Sequence, residues 1–187
     1  MIKKILFIGL ISMSVISCKP KSAEVKEEDK TTAAAVTPFE EWTQDLQTIV
    51  VSKEGVLRGI DLGTAASEIK KESAALENQD KNYAYFQSDL NQIEFFDVEY
   101  SFVEDSIAAI EMEIYAATDD RAPELYIELE SYFNERFGTN LYGLNDYQIW
   151  NTTTAKGQKV ALGLRFEIPT EAESVPRVKI TAEIVEW

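Results

Sequence analysis

The sequence predicts an α+β fold: a two-layer sandwich in which tandem helix-strand-strand-strand units form an antiparallel sheet with helices on one face. Three observations predict it. Segments of strict apolar/polar alternation mark half-buried strands. Stretches with apolar residues three and four apart mark amphipathic helices. The elements come in the order helix, strand, strand, strand, twice. Clean alternation implies antiparallel pairing with one buried face, and the helices are the elements available to cover it.

Each element has its own local signature. Thr37-Pro38-Phe39-Glu40 offers a capping threonine, a proline in the first turn and a capping-box glutamate. With Phe39, Trp42, Leu46 and Ile49 at helical spacing, it predicts a helix over 38–50. Gly63-Thr64 precedes a second helix over 65–76, with Ala66, Ile69 and Ala74 inward. A short strand is expected near Tyr83–Phe86. Phe96, Val98, Tyr100 and Phe102 share one face of the next strand, and Ala108, Ile110, Met112 and Ile114 one face of the strand after it. Pro123 opens a helix to Phe137 with Leu125, Leu129 and Phe133 on one side and Gly138 as its stop. Three strands complete the second unit: Tyr147–Asn151, then the runs through Val160, Leu162, Leu164 and Phe166 and through Val178, Ile180, Ala182 and Ile184. The single domain spans 37–187, with units of about 57–117 and 120–187. Six strands and three amphipathic helical segments suit neither the strand number nor the helix-free wall of a transmembrane barrel.

Residues 1–18 are of a different kind. Lys3 and Lys4 head an apolar run of about thirteen residues, too short for the roughly 20 residues of a spanning helix. The run fades through Ser12, Ser14 and Ser17, as a secretory signal does. Residues 19–36 hold no aromatic and few large apolar side chains, a composition that cannot bury enough surface to order itself. A tether of that length reaches about 60 Å fully extended and averages about 25 Å as a coil.

Composition excludes several chemistries. There is no histidine, and Cys18 is the one cysteine, so a Ser-His-Asp triad and an intrachain disulfide are both impossible. No glycine-rich phosphate loop or dinucleotide fingerprint is present. Removing residues 1–18 takes away Lys3 and Lys4 and no acid, which leaves 16 basic and 33 acidic side chains and a net charge of −17. Such a field disfavours nucleic acid and anionic headgroups as partners.

Carboxylates therefore carry what chemistry remains. Side chains that face one another across a hairpin must share a side of the sheet. A two-residue loop at Glu104-Asp105 would set Glu99 against Ile110, whereas an odd loop such as 104–106 sets Tyr100 against Ile110 and Val98 against Met112. That register places Glu99 opposite Glu111 and Asp97 opposite Glu113, with opposed Cβ atoms about 5 Å apart. Four carboxylates at that spacing are a candidate cation site, calcium being the ion suited to oxygen ligands. They are also a candidate for acid catalysis. The alternative is a solvated face neutralised by Arg165, Arg177 and Lys179 from the second unit. Tyr142, Tyr147 and Trp150 follow a glycine-containing turn and form a candidate aromatic binding surface, or else serve the core.

Two resemblances add to this. Val15-Ile16-Ser17-Cys18 resembles the lipobox of bacterial lipoproteins, in which the cysteine becomes the acylated N-terminus. That implies a lipid on Cys18, attachment to a membrane and, with Lys19 rather than aspartate following, sorting to the outer membrane. The pattern Arg58-Gly59-Ile60-x-Leu62-Gly63-x-x-x-x-Glu68-Ile69, with the strands after it, resembles small lipoproteins of the SmpA/OmlA type. The repeated layout resembles the β-lactamase inhibitor protein, built from two such units. Both imply a binding or scaffolding role. The expectation is thus a non-enzymatic, membrane-anchored envelope protein with an envelope protein as partner. A carboxylate-dependent hydrolase acting on envelope glycans and an inhibitor-like protein-binding module are the alternatives.

Overall fold

A computed structural model describes residues 37–168 and 175–186. The expected signal peptide 1–18, the tether 19–36, Cys18 and Trp187 lie outside the described residues. The molecule is mainly sheet. Eight antiparallel strands form one open sheet: β1 (Ala75–Gln79), β2 (Tyr83–Asp89), β3 (Phe95–Val103), β4 (Ser106–Tyr115), β5 (Leu141–Tyr142), β6 (Gln148–Thr153), β7 (Lys159–Glu167) and β8 (Arg177–Ile184). Their order is β1-β2-β3-β4-β8-β7-β6-β5, so two four-stranded meanders meet where β4 pairs with β8. The six expected strands are all present. β1 and β5, at the two edges, are additional.

One face of the sheet, the inner face, builds the core. Phe96, Val98, Tyr100, Ile110, Met112, Ile114, Val178, Ile180, Leu162 and Leu164 are all fully buried there. Helix α2 (Arg121–Phe137) packs across β6, β7 and β8 and buries Leu125, Leu129, Tyr132 and Phe133. The segment before β1 belongs to the same core through Leu46, Ile49, Val56, Leu57, Ile60 and Leu62. Gly138, at φ +86°, ends α2 in a conformation that a side chain would strain.

The two other expected helices are shorter than their periodicity suggested. Over 38–50 a 3₁₀ turn, Phe39–Glu41, gives way to extended backbone at Trp42, and α1 spans only Gln44–Val50. Its cap is Thr43 rather than Thr37: the Thr43 hydroxyl accepts from the Leu46 N–H at 3.2 Å. In place of a helix over 65–76 there is a 3₁₀ helix, Ala66–Lys71. Glu72 ends it, because its carboxylate accepts from the N–H groups of Ser73 (2.7 Å) and Ala74 (2.9 Å). The freed chain then runs on as edge strand β1.

The β3–β4 hairpin has the expected register for a different reason. Its turn is two residues, Glu104 and Asp105, both at positive φ (+50° and +61°), as a type I′ turn requires. Val103 pairs with Ser106 and Phe102 with Ile107, and Ala108 is then skipped before Ser101 pairs with Ala109. This bulge restores the parity that the even loop had broken. It also corrects one assignment: Ile107, not Ala108, is the buried residue at the start of β4.

Candidate binding face

Every second residue of β2–β8 points away from the core, and no described helix covers that outer face. The register arranges these side chains in rows across the strands. One row runs Gln87, Asp97, Glu113, Lys179, Arg165. The next runs Tyr85, Glu99, Glu111, Thr181, Gly163, Ile149. A third runs Tyr83, Ser101, Ala109, Glu183, Ala161, Asn151. Strands β1–β4 contain no lysine or arginine, whereas β7 and β8 supply Lys159, Arg165, Arg177 and Lys179.

Asp97, Glu99, Glu111 and Glu113 thus share one face in the expected pairs, Asp97 with Glu113 and Glu99 with Glu111. Three of the four, Asp97, Glu111 and Glu113, have partners outside the cluster. Lys179 bonds Glu111 and lies 3.5 Å from Glu113, and Arg177 reaches Glu113 at 3.1 Å. Gln87 donates to Asp97 at 2.8 Å, and the Tyr115 hydroxyl donates to Glu113 at 2.9 Å. Among the described residues no three acidic, histidine or cysteine side chains gather closely enough to hold a metal ion.

The charges settle one another's protonation. Burial pushes the Tyr115 hydroxyl up, and the hydrogen bond and charge of Glu113 push it further. Burial likewise raises Tyr85, with Asp97 adding to it. Burial opposes the charged form of Lys179, but its bond to Glu111 and the charges of Glu111 and Glu113 outweigh that and hold it above the usual lysine value. Burial also opposes ionisation of Glu167, yet Arg177, bonded at 2.6 Å, and Arg165 keep it below the usual carboxylate range. At neutral pH this half of the face is a latticework of ion pairs, each worth at most about 1 kcal/mol where it is exposed.

The three aromatic candidates are separated. Trp150 is in the core, 1% exposed, and donates its indole N–H to Asn134 at 3.0 Å. It sits at an inward position of β6, where alternation gives it to the core. Tyr142 is on edge strand β5 and 89% exposed. Tyr147 alone lies on the outer face, its ring under the Arg165 guanidinium at 4.6 Å.

Beside Tyr147 the face is hollow. Tyr147, Ile149, Ala161, Gly163, Thr181 and Glu183 surround a depression of about 240 Å³. Gly163 is what opens it: a Cβ there would lie 2.7 Å from the Thr181 hydroxyl and 3.0 Å from the Tyr147 ring. Of these six residues the sequence had singled out only Tyr147. The one further signal available was a glycine in mid-strand, which marks a close approach.

A larger groove, about 580 Å³, opens on the inner side between the 3₁₀ helix and β1, with Ile69, Ala74, Leu76 and Phe86 in its walls. Its carboxylate, Glu72, is fully engaged. Arg58 bonds it through Nε (2.7 Å) and Nη2 (2.5 Å), the Tyr100 hydroxyl donates to it, and the Arg58 and Glu72 side chains are 1% and 0% exposed. Burial opposes its charge, but these partners and the Ala74 N–H bring Glu72 down to about 2. The Arg58–Glu72 pair is a structural bolt, its carboxylate engaged by Arg58, Tyr100 and backbone N–H groups. Comparison with protein-family models, curated proteins and solved structures finds no match to this chain.

Proposed function

We propose that the chain is a lipid-anchored envelope protein that works by contact, with the outer face of its sheet as the binding surface. The observation that carries this reading is that face itself: a broad sheet surface that no described helix covers, with ion pairs across β4, β7 and β8 and a depression beside Tyr147. A surface on which Lys179, Arg165 and Arg177 are already paired with Glu111, Glu113 and Glu167 is well suited to rest against a protein. The acidic composition speaks against nucleic acid. No described helix is long and apolar enough to cross a membrane, and attachment is assigned to a lipid on Cys18, at the outer membrane. The finer architecture belongs to the same proposal. Two αβββ units in tandem, each extended by an edge strand, form a sheet backed on one side by helices, the layout in which the sequence resembles the β-lactamase inhibitor protein.

The hydrolase alternative is less well supported. Glu99 and Glu111 stand on an exposed face rather than in a cleft, and Lys179 binds Glu111. An acid catalyst needs the reverse, a carboxyl shielded from water and from cations. The contact reading is tested by affinity capture from envelope extracts with the wild-type chain and with Glu99→Arg plus Asn151→Arg, two exposed outer-face positions outside the ion pairs. The expected outcome is a specific partner that the double variant no longer retains. Equal retention by both would overturn the outer face as the binding surface.

A further inference from the structure

We infer that the depression beside Tyr147 is the anchor point of that face, and that it receives one cationic side chain, an arginine or lysine, of a protein partner. The inference rests on the contact reading and adds the chemistry of what is bound.

Size comes first. Small-molecule sites enclose about 300–1,000 Å³, and this depression holds about 240 Å³. It is too small for a whole ligand of that kind and large enough for one long side chain, the usual form of an interface hot spot.

The lining then selects the side chain. Ile149, Ala161 and the edge of Tyr147 offer apolar contact for an alkyl stem, and Gly163 gives it depth. Besides the Tyr147 phenol, the polar groups are the Thr181 hydroxyl and the Glu183 carboxylate. The carboxylate only accepts hydrogen bonds and the hydroxyl can accept, so the matching head is a pure donor, as guanidinium and ammonium are. Long cationic side chains combine such a head with an apolar stem.

Charge complementarity completes the case. The other outer-face carboxylates on β4 and β7, Glu111, Glu113 and Glu167, each have a cation from β7 or β8. Glu183, like Asp97 and Glu99 on β3, has no cation partner among the described residues, and of these three it alone lines the depression; its cross-strand neighbours are Ala109 on β4 and Ala161 on β7. A carboxylate flanked by two alanines, at the mouth of a depression, on a chain of net charge −15, presents an unfilled site for a positive group. A second copy of this acidic chain is repelled at long range, so the occupant belongs to a different, basic protein.

The test uses side-chain mimics on the chain from Lys19 to Trp187, which contains the whole hydrophobic core, residues 46–182. Backbone amide NMR shifts are followed during titration with n-butylguanidinium chloride or n-butylammonium chloride, against sodium chloride at equal ionic strength and against n-butanol. The expected result is a saturable response centred on Ala161, Gly163, Thr181 and Glu183. It should be at least fivefold weaker for n-butanol and at least tenfold weaker in Glu183→Gln, an exposed change that leaves the core untouched. A non-saturating response, one unaffected by Glu183→Gln, or one centred on Asp97 and Glu99 would overturn the inference. If the Glu99→Arg/Asn151→Arg variant loses its captured partner while the mimics ignore the depression, the contact reading stands and the anchor fails. If neither responds, both fail.

Discussion

Arg58 and Glu72 leave water together, and the surroundings answer nearly every hydrogen-bonding group they bring. Arg58 donates to the Thr48 and Ile49 carbonyls at the end of α1 and to the Ser73 hydroxyl as well as to Glu72, and its guanidinium lies 4.8 Å from the Phe96 ring centre. One pair thereby ties α1, the 3₁₀ helix and β3 together. Breaking such a pair leaves a buried charge without a partner, so Glu72→Gln is expected to cost about 3–5 kcal/mol, read as a lower midpoint in urea unfolding. The pH dependence has a definite sign. The folded value of Glu72, about 2, lies below its ordinary 4.5, so the stabilisation is fully present above pH 4.5 and is lost as pH falls toward 2. It amounts to roughly 3 kcal/mol at 1.36 kcal/mol per pKa unit. Unfolding curves between pH 6 and 2 should show a steeper loss in the wild type than in Arg58→Met/Glu72→Leu, where both charges are gone. Parallel curves would refute the assignment.

The β3–β4 hairpin shows how an element reaches the right pairing by an unexpected route. Alternation alone demanded that Tyr100 oppose Ile110, because a one-residue slip would turn a whole row of apolar side chains to solvent. The chain satisfied this demand with a bulge at Ala108 instead of an odd loop. Glu104 and Asp105 are poor residues for two consecutive positive φ angles, which asparagine and glycine adopt at little cost. Replacing them by Glu104→Asn and Asp105→Gly is expected to stabilise the protein by about 1 kcal/mol, a rise in melting temperature of about 3 °C for a domain of this size. A lower melting temperature would mean that the turn has another conformation. The helices carry the complementary lesson. Periodicity located the buried residues Leu46, Ile49 and Ile69 correctly. It overstated helix length, because the Thr43 hydroxyl and the Glu72 carboxylate bond backbone N–H groups and so start one helix late and end the other early.

The whole molecule divides its labour between the two faces of one sheet. The inner face takes α2, α1 and the loops, and the outer face is the surface proposed for contact. The anchoring proposed for the amino-terminal segment has its own test. Cys18→Ser is expected to move the protein from the membrane fraction to the soluble fraction, read by fractionation and immunoblot. Retention in the membrane fraction would refute the lipid anchor.

The sequence by itself determined the inner face, since burial repeats every second residue in a strand and every third or fourth in a helix. It determined the pairing of Asp97 with Glu113 and of Glu99 with Glu111 for the same reason. Only the tertiary structure decided the strand order, which sets β8 beside β4 and so brings Lys179 and Arg177 to Glu111 and Glu113. It also decided that Trp150 is core while Tyr147 is surface, and that Gly163, Ala161, Thr181 and Glu183 meet around one hollow. Those neighbours come from different strands, and long-range pairing leaves no local period along the chain to announce it.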